Sequence, residues 1–194
     1  RFLEEWLKHA YVMENKLIFR CEVFLNGEHC ETQYYTETFS ERVISIHQKS
    51  EFVSGESKLE CNYTINPRGY IRVEVNSNEN SLRIRLIDED KLEVYHNGKF
   101  KEYIEIHRED TVLFDGLSPF FDYFNYMYFV AVENEIVTRS VFVPDAITGN
   151  LIKKKYSFLK QGNVIHIKKD GKEAEIETTN GYQMLAYKCG ELSY

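Results

Sequence analysis

The sequence predicts a mostly β protein, a shell of antiparallel strands around an aromatic interior. Turn signals such as Asn26-Gly27, Asn97-Gly98 and Asn180-Gly181 recur about every 8–12 residues, the rhythm of an all-β sheet, sandwich or barrel. Between them lie short runs in which apolar and polar residues alternate, as in Arg42 to Lys49 and Ser81 to Ile87. Aromatic residues make up 14% of the chain, with 14 Tyr and 13 Phe, and such residues favour strands while burying large areas.

One stretch interrupts the strands. Phe114 to Val132 reads FDGLSPFFDYFNYMYFVAV. Ser118 offers a side-chain oxygen as helix cap, and Pro119 brings a preset φ and no N–H to leave unpaired. Phe120, Phe124, Met127, Tyr128 and Ala131 then recur at helical spacing. The pattern predicts a central helix from about Pro119 to Val130, apolar on most sides and lying against the sheet.

In chain order, Phe2, Trp6, Ala10 and Met13 form an apolar stripe one helical turn apart, which predicts a short amphipathic helix over Phe2 to Tyr11. It is expected to dock on the sheet or close one end of a barrel. Strands are expected at Leu17 to Leu25 and Glu31 to Phe39, joined at Asn26-Gly27. Further strands follow at Arg42 to Lys49, Lys58 to Ile65, Tyr70 to Val75 and Ser81 to Ile87. The turn at Asn66 to Gly69 uses Pro67 and Gly69 for its special backbone shapes. Lys91 to His96 and Lys99 to Ile106 make a second hairpin through Asn97-Gly98. After the helix come Ile136 to Val143, Leu151 to Leu159, Val164 to Lys168, Ala174 to Thr178 and Tyr182 to Tyr187. No repeat, linker or low-complexity run divides the 194 residues, so one domain over 1–194 is expected.

The net charge of −7 argues against general nucleic-acid affinity. The charge is uneven: Asn150 to Lys172 holds seven Lys against Asp170 alone. Such a face meets an anionic group, or simply discourages edge pairing with solvated lysines. The four Cys are widely spaced and form no CxxC, so neither a zinc site nor a disulfide framework is expected, and reduced thiols in a cytoplasmic protein are the default. No apolar run is long enough to span a bilayer, and Glu4 and Glu5 break up any signal-peptide pattern at the start.

Catalytic signatures are missing. There is no Gly-rich phosphate loop, no GxSxG and no HExxH, and the six His are scattered, so no metal or cofactor is expected. His107 with Asp110 is the nearest acid–base pair in sequence. Asp115 and Asp122 flank the helix start, where carboxylates complement the helix dipole unless a pocket lies beside them.

The strand and turn Lys91 to Phe100 with Asn97-Gly98, then Asp115 with Leu117-Ser118-Pro119-Phe120, then Val143-Pro144-Asp145 and Lys155-Tyr156, together resemble a bacterial family described as glycolipid-binding. The resemblance covers about Lys91 to Phe158. It implies a large curved half-barrel of antiparallel strands around one helical segment. The expected architecture is therefore a single curved antiparallel sheet with the central helix on its concave face, the alternative being a closed lipocalin-like barrel. The expected function is non-catalytic binding of a lipid-like or amphipathic ligand in an aromatic-lined groove. Phe120, Phe121, Phe124 and Tyr128 would line its apolar part, and Tyr126, Lys154 or Lys155 would meet a polar or anionic head. The alternative is a structural or interaction protein with a filled core and no ligand, touching partners through a sheet edge or the N-terminal helix. An enzyme has the least support.

Overall fold

The computed structural model describes residues 16–40, 43–55, 58–115, 119–180, 184–189 and 192–193. The expected N-terminal helix with Trp6, and the Ser118 cap, lie outside these residues. Among the described residues the first eight strands are β1 (Lys16–Leu25), β2 (Glu28–Phe39), β3 (Ile44–Phe52), β4 (Lys58–Asn66), β5 (Gly69–Ser77), β6 (Asn80–Ile87), β7 (Lys91–His96) and β8 (Lys99–Glu105). Then come β9 (Leu113–Phe114) and the helix α1 (Pro119–Asn125), which runs into a π-helical turn (Tyr126–Val130). The chain continues with β10 (Val137–Asp145), β11 (Asn150–Gln161), β12 (Val164–Lys169), β13 (Lys172–Thr178), β14 (Met184–Cys189) and β15 (Leu192–Ser193).

Hydrogen-bonded neighbours follow the order β8-β7-β6-β5-β4-β3-β2-β1-β15-β14-β13-β12-β11-β10-β9. Chain neighbours pair in two antiparallel meanders because short turns leave nowhere else to go. The tightest turns use positive φ at both central residues, as at Asn97 (49°) and Gly98 (76°). β1 to β8 make an eight-stranded sheet. β10 to β14 make the other, which β9 extends to six by pairing parallel to β10 at Leu113↔Val141 and Phe114↔Phe142.

This corrects the expected architecture. The strands do not form one curved half-barrel. The strand order passes between the eight-stranded and six-stranded sheets through β15 alone among the described residues, and its two residues pair with Phe24 and Leu25 on one side and with Lys188 and Cys189 on the other. That link is too short to continue the ladder, so β1 from Lys16 to Val23 and β14 from Met184 to Tyr187 have no strand partner on that side among the described residues. A closed lipocalin-like barrel is not formed either, because the order ends at β8 and β9 without pairing them.

A second tie joins the sheets near β9. Tyr70 donates its N–H to the Val112 carbonyl at 2.8 Å, and Val112 donates to Arg68 at 2.9 Å. The approach requires glycine at position 69: its φ is +112°, and a Cβ there would collide with the Val112 backbone.

The core follows the period of two. On β2, Gln33, Tyr35, Glu37 and Phe39 all point inward and are buried. Ile165 and Ile167 on β12 and Tyr156, Phe158 and Lys160 on β11 do the same. The helical segment occupies the expected residues, but its second half is wider than an α-helix. The Ala131 N–H reaches back to the Tyr126 carbonyl at 2.8 Å, and Ala131 ends the turn in the left-handed region at φ 45°. Nor does the segment lie in an open concave groove. Phe121, Asp122 and Asn125 have no exposed surface.

Candidate functional site

The aromatic face of α1 is built against the first sheet. Phe120 packs on Tyr35 of β2 with ring centroids 4.1 Å apart. Phe121 packs on Tyr63 of β4 at 4.3 Å and on Tyr70 of β5 at 6.0 Å. Phe124 stacks on Tyr128 at 5.7 Å and 20°. These offset and tilted contacts are the favoured arrangements of rings, and they add to the gain from burial.

The same helix carries a charge to the second sheet. The Asp122 Oδ2 accepts hydrogen bonds from the Lys169 ammonium at the end of β12 and from the Tyr187 hydroxyl of β14, the latter at 2.7 Å. Asp115, just after β9, accepts from the Tyr156 hydroxyl of β11 at 2.7 Å, and its Oδ2 lies 3.8 Å from Lys169 Nζ. The Lys169 ammonium also sits 5.7 and 5.6 Å from the ring centres of Tyr156 and Tyr187, within cation–π range. Burial pushes the Asp122 carboxyl up to about 6, with Lys169 pulling the other way and Asp115 adding to the rise. For Lys169, burial alone would lower the ammonium, but Asp122 and Asp115 outweigh it and the group is held above its usual range.

A second buried acid, Glu37 of β2, accepts a hydrogen bond from the Tyr128 hydroxyl at 3.3 Å. Burial pushes its carboxyl up to about 8, Tyr128 opposing that rise. Among the described residues the remaining oxygen, Glu37 Oε1, has no hydrogen-bond partner, and neither has Asp122 Oδ1 or Tyr70 OH. Each such atom costs about 1–3 kcal/mol, which the ring packing offsets.

Of the expected ligand-contacting residues, Phe120, Phe121, Phe124, Tyr126 and Tyr128 come together in the interior, all at most 8% exposed. Tyr126 gives its hydroxyl to the Val132 carbonyl at 3.0 Å. Lys154 and Lys155 do not join them. Lys154 pairs with Asp170 at 2.5 Å, and Lys155 is exposed on β11. His107 and Asp110 are both exposed and share a turn, with Asp110 N–H bonded to the His107 carbonyl at 3.0 Å. Sequence reading missed Glu37, Tyr156, Lys169 and Tyr187. A period-two signal was available, since Lys169 is two residues beyond Ile167 and Glu37 lies between Tyr35 and Phe39.

Among the described residues no aromatic-lined groove is found, which corrects the ligand-binding expectation. The rings pack on one another and on the sheet as a filled core. Three depressions, of about 340, 270 and 210 Å³, lie instead among strand residues such as Ser157 and His166, Thr36 and Asn62, and Arg83 and Tyr95. None of the three is lined by α1, Asp115 or Lys169. Among the described residues no group of three or more His, Cys, Asp or Glu is placed to hold a metal ion, and no helix is long and apolar enough to cross a membrane.

No protein-family model matches the chain, and no curated protein matches it. The structure is similar to the crystal structure of a DUF1089 family protein from Pseudomonas aeruginosa, with a TM-score of 0.56 and 8% sequence identity over 80% of this chain and 89% of that one. At that identity the likeness shows a fold and nothing about a ligand. The glycolipid-binding resemblance expected over Lys91 to Phe158 is therefore not upheld as membership of that family.

Proposed function

We propose that this chain is a structural or interaction domain over 1–194 whose interior is filled by its own aromatic side chains and takes no ligand. The observation that carries this reading is the burial of Phe121 and Phe124, 0% and 2% exposed, against Tyr63, Tyr70 and Tyr128. Core density at such a contact leaves no room for a guest of lipid size. The Asp122–Lys169 pair is read as the clamp that fixes the helix to the second sheet. Phe120, Tyr126 and Tyr128 are core residues in this reading, and Lys154 and Lys155 are surface charges.

Contacts with other molecules then fall to the outside of the sheets. Four cysteines, all free thiols, support work in a reducing compartment such as the cytoplasm. The negative net charge supports partners other than nucleic acid. Native mass spectrometry of the protein from its own host, followed by organic extraction, tests the reading. A bare polypeptide mass is expected. A lipid or other amphiphile retained in stoichiometric amount would contradict it.

A further inference from the structure

The two ends of the strand order are unlike. β9 is buried at both residues, whereas β8 is exposed at six of its seven. A long exposed edge offers unpaired N–H and C=O groups to another strand unless it is blunted. β8 contains no proline. Its one irregularity is a bulge opposite Val94 and Tyr95, beside Lys101, whose ammonium is bonded to the Gly149 carbonyl at 2.7 Å and to Asn150 at 2.8 Å.

Exposed rings continue up to this edge. Tyr95 of β7 contacts Phe100 at 5.8 Å, and Phe100 contacts Tyr103 at 4.8 Å. Phe100 and Tyr103 are 48% and 56% exposed, among the most exposed large apolar side chains described. The Arg83 guanidinium lies 4.5 Å from the Tyr95 ring centre and caps the inner end of the row. The outer end stops at the sheet edge with nothing beyond it among the described residues.

The charges along β8 say which strand fits there. Its first half carries Lys99 and Lys101, and its second half carries Glu102 and Glu105. A basic strand meets the lysines unfavourably, and an acidic strand the glutamates. A second β8 laid antiparallel about Glu102 sets Lys99 against Glu105 at both ends by the two-fold symmetry of such a pair, with the one like-charged contact, Glu102 against its own copy, at the centre. A parallel arrangement would set like on like. From this complementarity, the open edge and the truncated aromatic row, we infer that the chain self-associates through antiparallel β8–β8 pairing, so that the partner of this edge is a second copy of the chain. The inference rests on the reading of the protein as an interaction domain and names its partner.

Sedimentation velocity from about 1 to 500 µM spans the range in which a contact of one strand and a few rings assembles. A concentration-dependent monomer–dimer equilibrium is expected. Lys99→Glu and Glu105→Lys each place like charges at both ends of the pair, and each is expected to weaken the dimer about tenfold. Both positions are exposed, so thermal midpoints should match the parent and separate a lost contact from a lost fold. Mixed in equal amounts, the two variants regain opposite charges at both ends and recover the parent's association. A chain that stays monomeric throughout, a dimer indifferent to the reversals, or variants that mixing does not rescue would each overturn the inference. None of those results bears on the filled interior, which is judged by the extracted amphiphile.

Discussion

Replacing Lys169 by methionine leaves two carboxylates, Asp122 and Asp115, facing each other without their cation. Removing one partner of a buried pair costs about 3–5 kcal/mol, and urea denaturation should show a loss of that size for Lys169→Met. Removing Lys168, which is exposed and reaches Glu173 at 3.5 Å, should cost less than about 1 kcal/mol. The two neighbours look alike in a run of seven lysines, and only the strand parity shared with Ile165 and Ile167 separates them. Glu37 gives a pH signature. Unfolded, its carboxyl titrates near 4.5; folded, burial holds it near 8. Between those values the folded chain keeps a proton that the unfolded chain has released. The contribution of Glu37 to stability is therefore full below about 4.5, falls as pH rises towards 8, and levels off above it. The loss is on the order of a few kcal/mol at 1.4 per pKa unit. Glu37→Gln removes that slope, so chemical denaturation from pH about 5 to 8 should show the variant gaining on the parent.

At the scale of elements, most strands and turns were legible in the sequence, though not how the sheets are arranged. The hairpins at Asn26-Gly27 and Asn97-Gly98 and the helical segment from Pro119 to Val130 stand where the turn chemistry and the periodicity place them. β9 was not legible, because two residues carry no period, and Phe114 was grouped with the aromatic stretch before the helix while it pairs with Phe142. The π turn was hidden for a related reason. It adds a residue to the turn, so Tyr126, Met127, Tyr128 and Val130 are all buried where a regular helix would have turned some of them outward. β10 also runs through Pro144, a residue read as a strand end. Pairing on its β9 side stops at Phe142, so no ladder bond there needs the missing N–H. The β5–β9 tie depends on one residue. Gly69→Ala forces a side chain into a positive φ and into the Val112 backbone, and should cost about 1–3 kcal/mol in thermal denaturation. The Tyr70 amide, bonded to Val112, should lose hydrogen-exchange protection ahead of the rest of β5.

At the scale of the molecule, the sequence showed an aromatic interior but not whether it was filled. Fourteen Tyr and thirteen Phe suit a ligand cavity and a solid core equally well, and the choice turns on distances between rings that no spacing rule supplies. Nor did alternation reveal that the strands divide into eight and six, since both sheets obey the same period. The division gives α1 its role. Its rings pack on β2, β4 and β5, while Asp122 is held by β12 and β14, so the helix bridges two sheets whose backbone ties are the short β15 and the bonds at Val112. Amides of β4 and β12 should consequently open with one common free energy in the parent and with separate ones in Lys169→Met, as native-state hydrogen exchange would read.

The most direct test of the filled interior is equilibrium unfolding of Phe124→Ala beside the parent, with and without an added fatty acid. Truncating a phenylalanine in a packed core costs about 3–5 kcal/mol. That loss, with no stabilisation of either protein by the fatty acid, is the expected result. A loss below about 1 kcal/mol together with stabilisation of the parent by the fatty acid would mean that Phe124 lines a binding site, and would contradict the account.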